Sequence, residues 1–226
     1  MNKSLFLTSA ALLAASLSSS ALATPELEVV SGASSTTVVG AGNTVTYSNA
    51  NFDGWDILIT FGVSNSPGTS PFGIDITNLV VTCTGGSCSS DTLNVTLSDT
   101  GFTTPTSEFI NSYSLTGAGT TTQTAWVDTS NTLFGEPAGG LIGTITLTGL
   151  GGTSVAGGGP AGPSAYSLTL LDTFAAGSGV TYSSDGSITV PEPGSLTLFG
   201  TGLIALGLLA RRRRRVEQTD NAAITD

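Results

Sequence analysis

Apolar residues recur at every second position through much of the stretch from Thr24 to Thr189. Ile57, Ile59, Phe61 and Val63 alternate with Leu58, Thr60 and Gly62. Leu93, Val95 and Leu97 alternate with Asn94, Thr96 and Ser98. Phe109, Tyr113 and Leu115 share one parity, as do Ile145 and Leu147, and Tyr166, Leu168 and Leu170 repeat the pattern. Period two means a strand with one buried face and one wet face. The wet positions are mostly Thr and Ser, and Thr favours strands. About nine strands are expected, near 44–48, 56–63, 74–82, 91–98, 107–116, 122–128, 141–149, 164–172 and 186–190. No amphipathic helix interrupts them. The expected fold is all-β, an antiparallel β-sandwich over residues 24–189. Ile57, Ile59, Phe61, Leu93, Val95, Leu97, Leu168 and Leu170 are expected to point inward.

Turn chemistry separates the runs. Ser66-Pro67-Gly68, Thr84-Gly85-Gly86-Ser87, Thr116-Gly117-Ala118-Gly119 and Ser184-Asp185-Gly186 all read as turns. Gly151 to Pro163, GGTSVAGGGPAGP, lacks apolar anchors and reads as a mobile loop.

The two ends stand apart from this domain. Met1 to Ala23 holds one cation, Lys3, then an apolar run and Ala21-Leu22-Ala23. This is the pattern of a cleaved secretory signal peptide, residues 1–23. At the other end Leu196 to Ala210 carries no charge, and Arg211, Arg212, Arg213, Arg214 and Arg215 follow at once. Fifteen helical residues span about 22 Å, short of a hydrocarbon core of about 30 Å. The five arginines nevertheless mark a cytoplasmic membrane flank, and snorkelling or bilayer thinning makes up the length. A single transmembrane helix over residues 196–210 is expected, with a cytoplasmic tail at 216–226. Pro191 and Pro193 bound the helix on the outer side.

Composition then excludes chemistry. Residues 24–189 contain no Lys, Arg or His, and carry Glu26, Glu28, Asp53, Asp56, Asp75, Asp91, Asp99, Glu108, Asp128, Glu136, Asp172 and Asp185. Nucleic acid is excluded as a partner, since phosphate binding rests on cations. Triads built on His and dyads built on Lys are excluded with it, as is a His-based zinc site. No cofactor is expected. The only cysteines, Cys83 and Cys88 in VVTCTGGSCSS, pass through an oxidising compartment, and Gly85 and Gly86 let the loop between them turn. A disulfide within one chain is expected, contributing about 2 kcal/mol at most from so short a loop.

Carboxylates remain as candidate chemistry. Asp53 and Asp56, in NFDGWD beside Phe52 and Trp55, read first as a polar turn, and alternatively as a glycoside-cleaving pair. An acidic domain without bases attracts hard cations, and calcium is the candidate metal, with Asp53/Asp56 and Asp91/Asp99 as candidate ligand sources. Trp55 and Trp126 are candidate platforms for a sugar ring. Asn94-Val95-Thr96 matches a glycosylation sequon but falls on an expected strand.

The tail VPEPGSLTLFGTGLIALGLLARRRRR, with Pro191-Glu192-Pro193 ahead of the apolar run and Arg211 to Arg215 behind it, resembles the PEP-CTERM sorting signal of exported bacterial surface proteins. The resemblance covers residues 190–215 and implies recognition and processing by a membrane-embedded exosortase. The central domain is similar to a recurring class of PEP-CTERM exported proteins, on the small cysteine loop, LNVTLSDTGFT, NTLFGEP and SAYSLTLLDTF. That likeness supports one sandwich and carries no activity. Together these features imply a non-enzymatic protein of the cell surface or matrix, with exosortase as partner and polysaccharide as surroundings. The alternatives are a carbohydrate-binding module and a carboxylate-dependent glycan-active enzyme.

Overall fold

The computed structural model describes residues 24–66, 72–158, 164–177, 179–191 and 204. The expected signal peptide, transmembrane helix and cytoplasmic tail lie outside these residues, as do Glu192, Pro193 and Arg211 to Arg215. Among the described residues no helix is long and apolar enough to cross a membrane.

Among the described residues twelve strands form two six-stranded antiparallel sheets. They are β1 (Glu26–Ser31), β2 (Ser34–Val39), β3 (Thr44–Phe52), β4 (Trp55–Ser64), β5 (Phe72–Cys83) and β6 (Leu93–Phe102). Then follow β7 (Phe109–Gly117), β8 (Thr120–Asp128), β9 (Leu141–Thr148), β10 (Gly151–Gly157), β11 (Tyr166–Phe174) and β12 (Thr181–Val190). One sheet runs β2-β1-β6-β11-β8-β9, the other β10-β7-β12-β5-β4-β3. The inner faces meet in a core of Leu27, Val29, Ile57, Ile59, Ile76, Leu79, Val95, Leu97, Leu168, Leu170 and Ile188. Apolar burial of this kind carries the fold, since the domain has no cation with which to form an ion pair. At one end Tyr166 lies between Phe102 and Phe109, with ring centroids 5.7 Å from each.

Alternation located the core except where a strand bulges. Phe61 was expected inside and is 48% exposed. Val45 pairs with Gly62 and Tyr47 with Ile59, so Thr60 and Phe61 stand opposite the single residue Thr46. The extra residue turns Phe61 outward and puts Gly62 inside. Next door, Thr77 and Asn78 of β5 stand opposite Asp185 of β12. Asn78 takes a left-handed φ of 52°, and its N–H donates to Asp185 Oδ1 at 2.7 Å. Both strands bulge at one level, so their mutual register is unbroken: Ile59 faces Leu79 and Gly62 faces Ile76.

Two other expectations are corrected. Gly151–Gly157 is not a loop but the edge strand β10, paired with β7 from Gly151↔Leu115 to Gly157↔Phe109. Its backbone ladder holds it where side chains do not. Ser184-Asp185-Gly186 is not a turn but the middle of β12, which begins at Thr181. The strands β1 and β2 extend the sandwich beyond the nine expected.

Candidate functional site

The cysteine pair is a disulfide, Cys83–Cys88, with Cα atoms 5.6 Å apart. It knits three segments at one end of the sandwich. Thr84 N–H and Oγ1 both donate to the Gly54 carbonyl, at 2.9 and 2.7 Å. Gly179 N–H donates to the Cys83 carbonyl and Gly177 N–H to that of Cys88. Gly54 has φ 85°, and a Cβ there would collide with the Gly85 carbonyl oxygen, so glycine is required.

The expected carboxylate pairs are rearranged. Asp91 precedes β6 and Asp99 lies near its far end, well along an extended strand, so they do not share a site. Asp56 is exposed on the outer face of β4, away from the turn that holds Asp53. The fold instead brings Asp53 and Asp91 together over Gly32, whose hypothetical Cβ would lie 3.4 Å and 2.7 Å from their Oδ2 atoms. Ser31 Oγ donates to Asp53 Oδ2 at 3.2 Å. This is two carboxylates only; among the described residues no group of three His, Cys, Asp or Glu gathers to hold a metal. Trp55 is fully buried and cannot stack on a ligand, which removes one of the two expected platforms. Trp126 is half-buried on the outer face of β8.

A concave surface lies on the outer face of the second sheet. A groove of about 330 Å³ crosses β10, β7, β12 and β5, lined by Asp75, Ser112, Ser114, Thr153, Asp185 and Ser187. It continues past Asp75 and Ser187 into a cleft of about 170 Å³ beside Val63 and Thr189. Burial pushes the Asp75 carboxyl up, the Thr77 hydroxyl pulls it back, and the negative charge of Asp185 pushes it up further. Asp185 is anchored by the Asn78 N–H at the bulge. Exposed Phe61 pairs with Thr77 and flanks this face. The groove can hydrogen-bond hydroxyl-rich ligands, and it repels anions. Sequence reasoning passed over both acids: Asp75 is a routine outward residue of GIDIT, and Asp185 was assigned to a turn.

The outer face of the first sheet is a threonine array. Thr120–Thr148 and Thr122–Thr146 bond through their hydroxyls at 3.0 and 3.1 Å, and Thr144 donates to Thr124 at 3.3 Å. Each cross-strand pair adds a few tenths of a kcal/mol, roughly, to the β8–β9 ladder.

Two carboxylates, Asp99 and Asp172, are fully buried. Burial pushes Asp172 up to about 7, against the pull of the Gln123 amide. Burial also raises Asp99; the Ser64 hydroxyl and Thr100 N–H pull it back, and the charge of Glu26 adds to the rise. A carboxyl raised on folding contributes stability below the ordinary aspartate range and loses it as pH rises through the folded value. Asp99→Asn should therefore gain on the wild type as pH increases. Urea midpoints from about pH 4 to about pH 8 check this; a pH-independent difference would contradict it.

Residues 189–215 match the family model of the PEP-CTERM protein-sorting motif. The chain thus carries that motif, and its first two residues, Thr189 and Val190, belong to β12. No curated protein matches the chain. Among solved structures it is similar to the CBM22-1–GH10 modules of Clostridium thermocellum xylanase 10B complexed with xylohexaose, at 20% identity and TM-score 0.32. That match covers 66% of this chain and 28% of the other. TmCBM61 in complex with β-1,4-galactotriose matches at 7% identity and TM-score 0.33, over 66% of this chain and 88% of that one. The C-terminal family 22 carbohydrate-binding module of Clostridium thermocellum Xyn10B matches at 12% identity and TM-score 0.32, over 67% and 86%. Likenesses at these scores carry no argument about ligand.

Proposed function

We propose that this chain, an exported protein by its PEP-CTERM motif, is processed by exosortase and left in an extracellular polysaccharide layer. There it works by contact, as a structural or adhesive sandwich. One observation carries the reading: the sorting motif is joined directly to a folded domain with twelve acids and no base. Such a domain repels phosphate and carboxylate ligands and leaves neutral, hydroxyl-rich polymers as its natural contact. The hydroxyl-lined groove on one face and the threonine array on the other both suit that chemistry.

A second reading is favoured by Asp75 and Asp185, two acids in one open groove. Two carboxyls facing one groove, one of them raised by burial, is the kind of pair that glycoside cleavage uses. Against it, Asp185 has a structural duty at the β5 bulge, and residues 24–189 offer no cationic side chain to steady developing negative charge. The test is to incubate the exported protein with neutral and acidic glycans. Retention on neutral glycan without turnover supports the contact reading. Turnover abolished by Asp75→Asn would replace it with the enzyme. Binding that is lost in Trp126→Ala alone would move the contact surface from the groove to the first sheet.

A further inference from the structure

Between the sheets lies a set of oxygen atoms that the fold leaves without partners. Thr121 and Gln123 reach in from β8 and Asp172 from β11. Tyr113 and Ser184 reach in from β7 and β12 of the facing sheet. All five residues are at most 2% exposed. Gln123 Nε2 donates to Asp172 Oδ1 at 2.9 Å. Asp172 Oδ2, Gln123 Oε1, Tyr113 OH, Thr121 Oγ1 and Ser184 Oγ remain buried with no hydrogen bond. They converge on one place. The Tyr113 hydroxyl feels the Asp172 charge and is drawn to the hydroxyls of Thr121 and Ser184, without a well-formed hydrogen bond to either. Gly186 follows Ser184 on the inner face of β12, and a Cβ there would collide with the Gln123 side chain. The sequence thus leaves room for Gln123 at this spot.

Five neighbouring buried oxygens without a well-formed hydrogen bond call for an occupant. Charge narrows the choice. A buried carboxylate needs a proton, a cationic side chain or a metal ion; the raised value of Asp172 lets a proton serve below about pH 7, residues 24–189 offer no cationic side chain, and above that pH a metal ion is what remains. Oxygen donors without nitrogen or sulfur are the set for a hard cation. One carboxylate balances one positive charge; a divalent ion would leave an uncompensated charge in a low-dielectric interior. We propose that the sandwich holds a monovalent hard cation, sodium or potassium, on Asp172 Oδ2, Gln123 Oε1 and the hydroxyl oxygens of Tyr113, Thr121 and Ser184. The ion ties the first sheet to the second, a duty that ion pairs cannot perform in a domain without bases.

The experiment is thermal unfolding of the full chain in detergent, in sodium, potassium and choline chlorides at equal ionic strength. Choline is too large for a sealed interior. A saturating native-state ligand should raise the midpoint by roughly 5 °C over choline in the sodium or the potassium arm. The better arm identifies the ion. Asp172→Asn keeps an acceptor for Gln123 and removes the charge, and should abolish the difference. Should that variant fail to fold, Thr121→Val removes one ligand without changing shape or charge and should shrink the difference. Equal midpoints in all three salts would overturn the proposal and assign the cluster to water. An equal salt response in the variants would overturn it as a general salt effect. A response to calcium in place of the monovalent ions would overturn the assignment of charge.

Discussion

Trp55→Ala should destabilise the domain by about 3–5 kcal/mol, the range for deleting a large buried aromatic. Domains commonly hold only about 5–15 kcal/mol in total, so this one change consumes much of the margin. Trp55 is fully buried and heads the largest buried side chains. It opens β4, pairing with Phe52 on one side and with Cys83 of the disulfide on the other. Truncation would open a void beneath three segments at once: the β3–β4 turn, the end of β5 and the cysteine loop. The indole also carries a liability, since its Nε1 is buried without a hydrogen-bond partner. An unpaired buried N–H costs about 1–3 kcal/mol. Trp55→Phe keeps much of the ring and deletes that donor, so it should cost far less than alanine. Urea midpoints at unchanged slope measure both. A loss under about 1 kcal/mol for alanine would show that this corner repacks freely. Trp126→Ala, on a half-buried outer position, is the matched comparison and should cost much less.

The sandwich was legible wherever a strand runs straight. Ile57 and Ile59, Leu93, Val95 and Leu97, and Leu168 and Leu170 keep one parity and all lie inside. Phe61 broke the rule because a bulge adds a residue without any mark that separates it from ordinary alternation. β10 was illegible for another reason. An edge strand of GGTSVAG buries little on either face, so its stability rests on the ladder to β7, which no side-chain pattern reports. β1 could have been read, since Leu27 and Val29 alternate with Glu26 and Glu28 and lie fully buried. The interior cluster was hidden by the usual equation of polar with outward. Asp172 shares the parity of Leu168 and Leu170, and that parity, taken literally, puts it inside. The groove was invisible because Asp75, Ser112 and Asp185 come from three strands that only the topology brings side by side.

Exported protein from an exosortase-containing host should lack everything after about Pro193, the arginines included. The fold makes a cut there harmless. β12 runs through Val190, which pairs with Phe72 and is 3% exposed, and Pro191 follows at once. All twelve strands lie upstream of the cut, so processed and full-length chains should unfold at the same midpoint. Processing before Val190 would remove a core side chain and the last rung of the β5–β12 ladder, and would lower it. By the positive-inside tendency, Arg211 to Arg215 are expected to hold their side of the apolar run in the cytoplasm, with the sandwich outside and the Pro-Glu-Pro triplet at the outer boundary. Replacing Pro191-Glu192-Pro193 with three alanines should leave nearly all of the chain uncut in the membrane while the sandwich stays folded. Intact-mass measurement of the surface and membrane fractions reads both results. Full-length chain on the surface, carrying its five arginines, would refute processing. Normal processing of the alanine variant would show that the triplet is not what the enzyme reads.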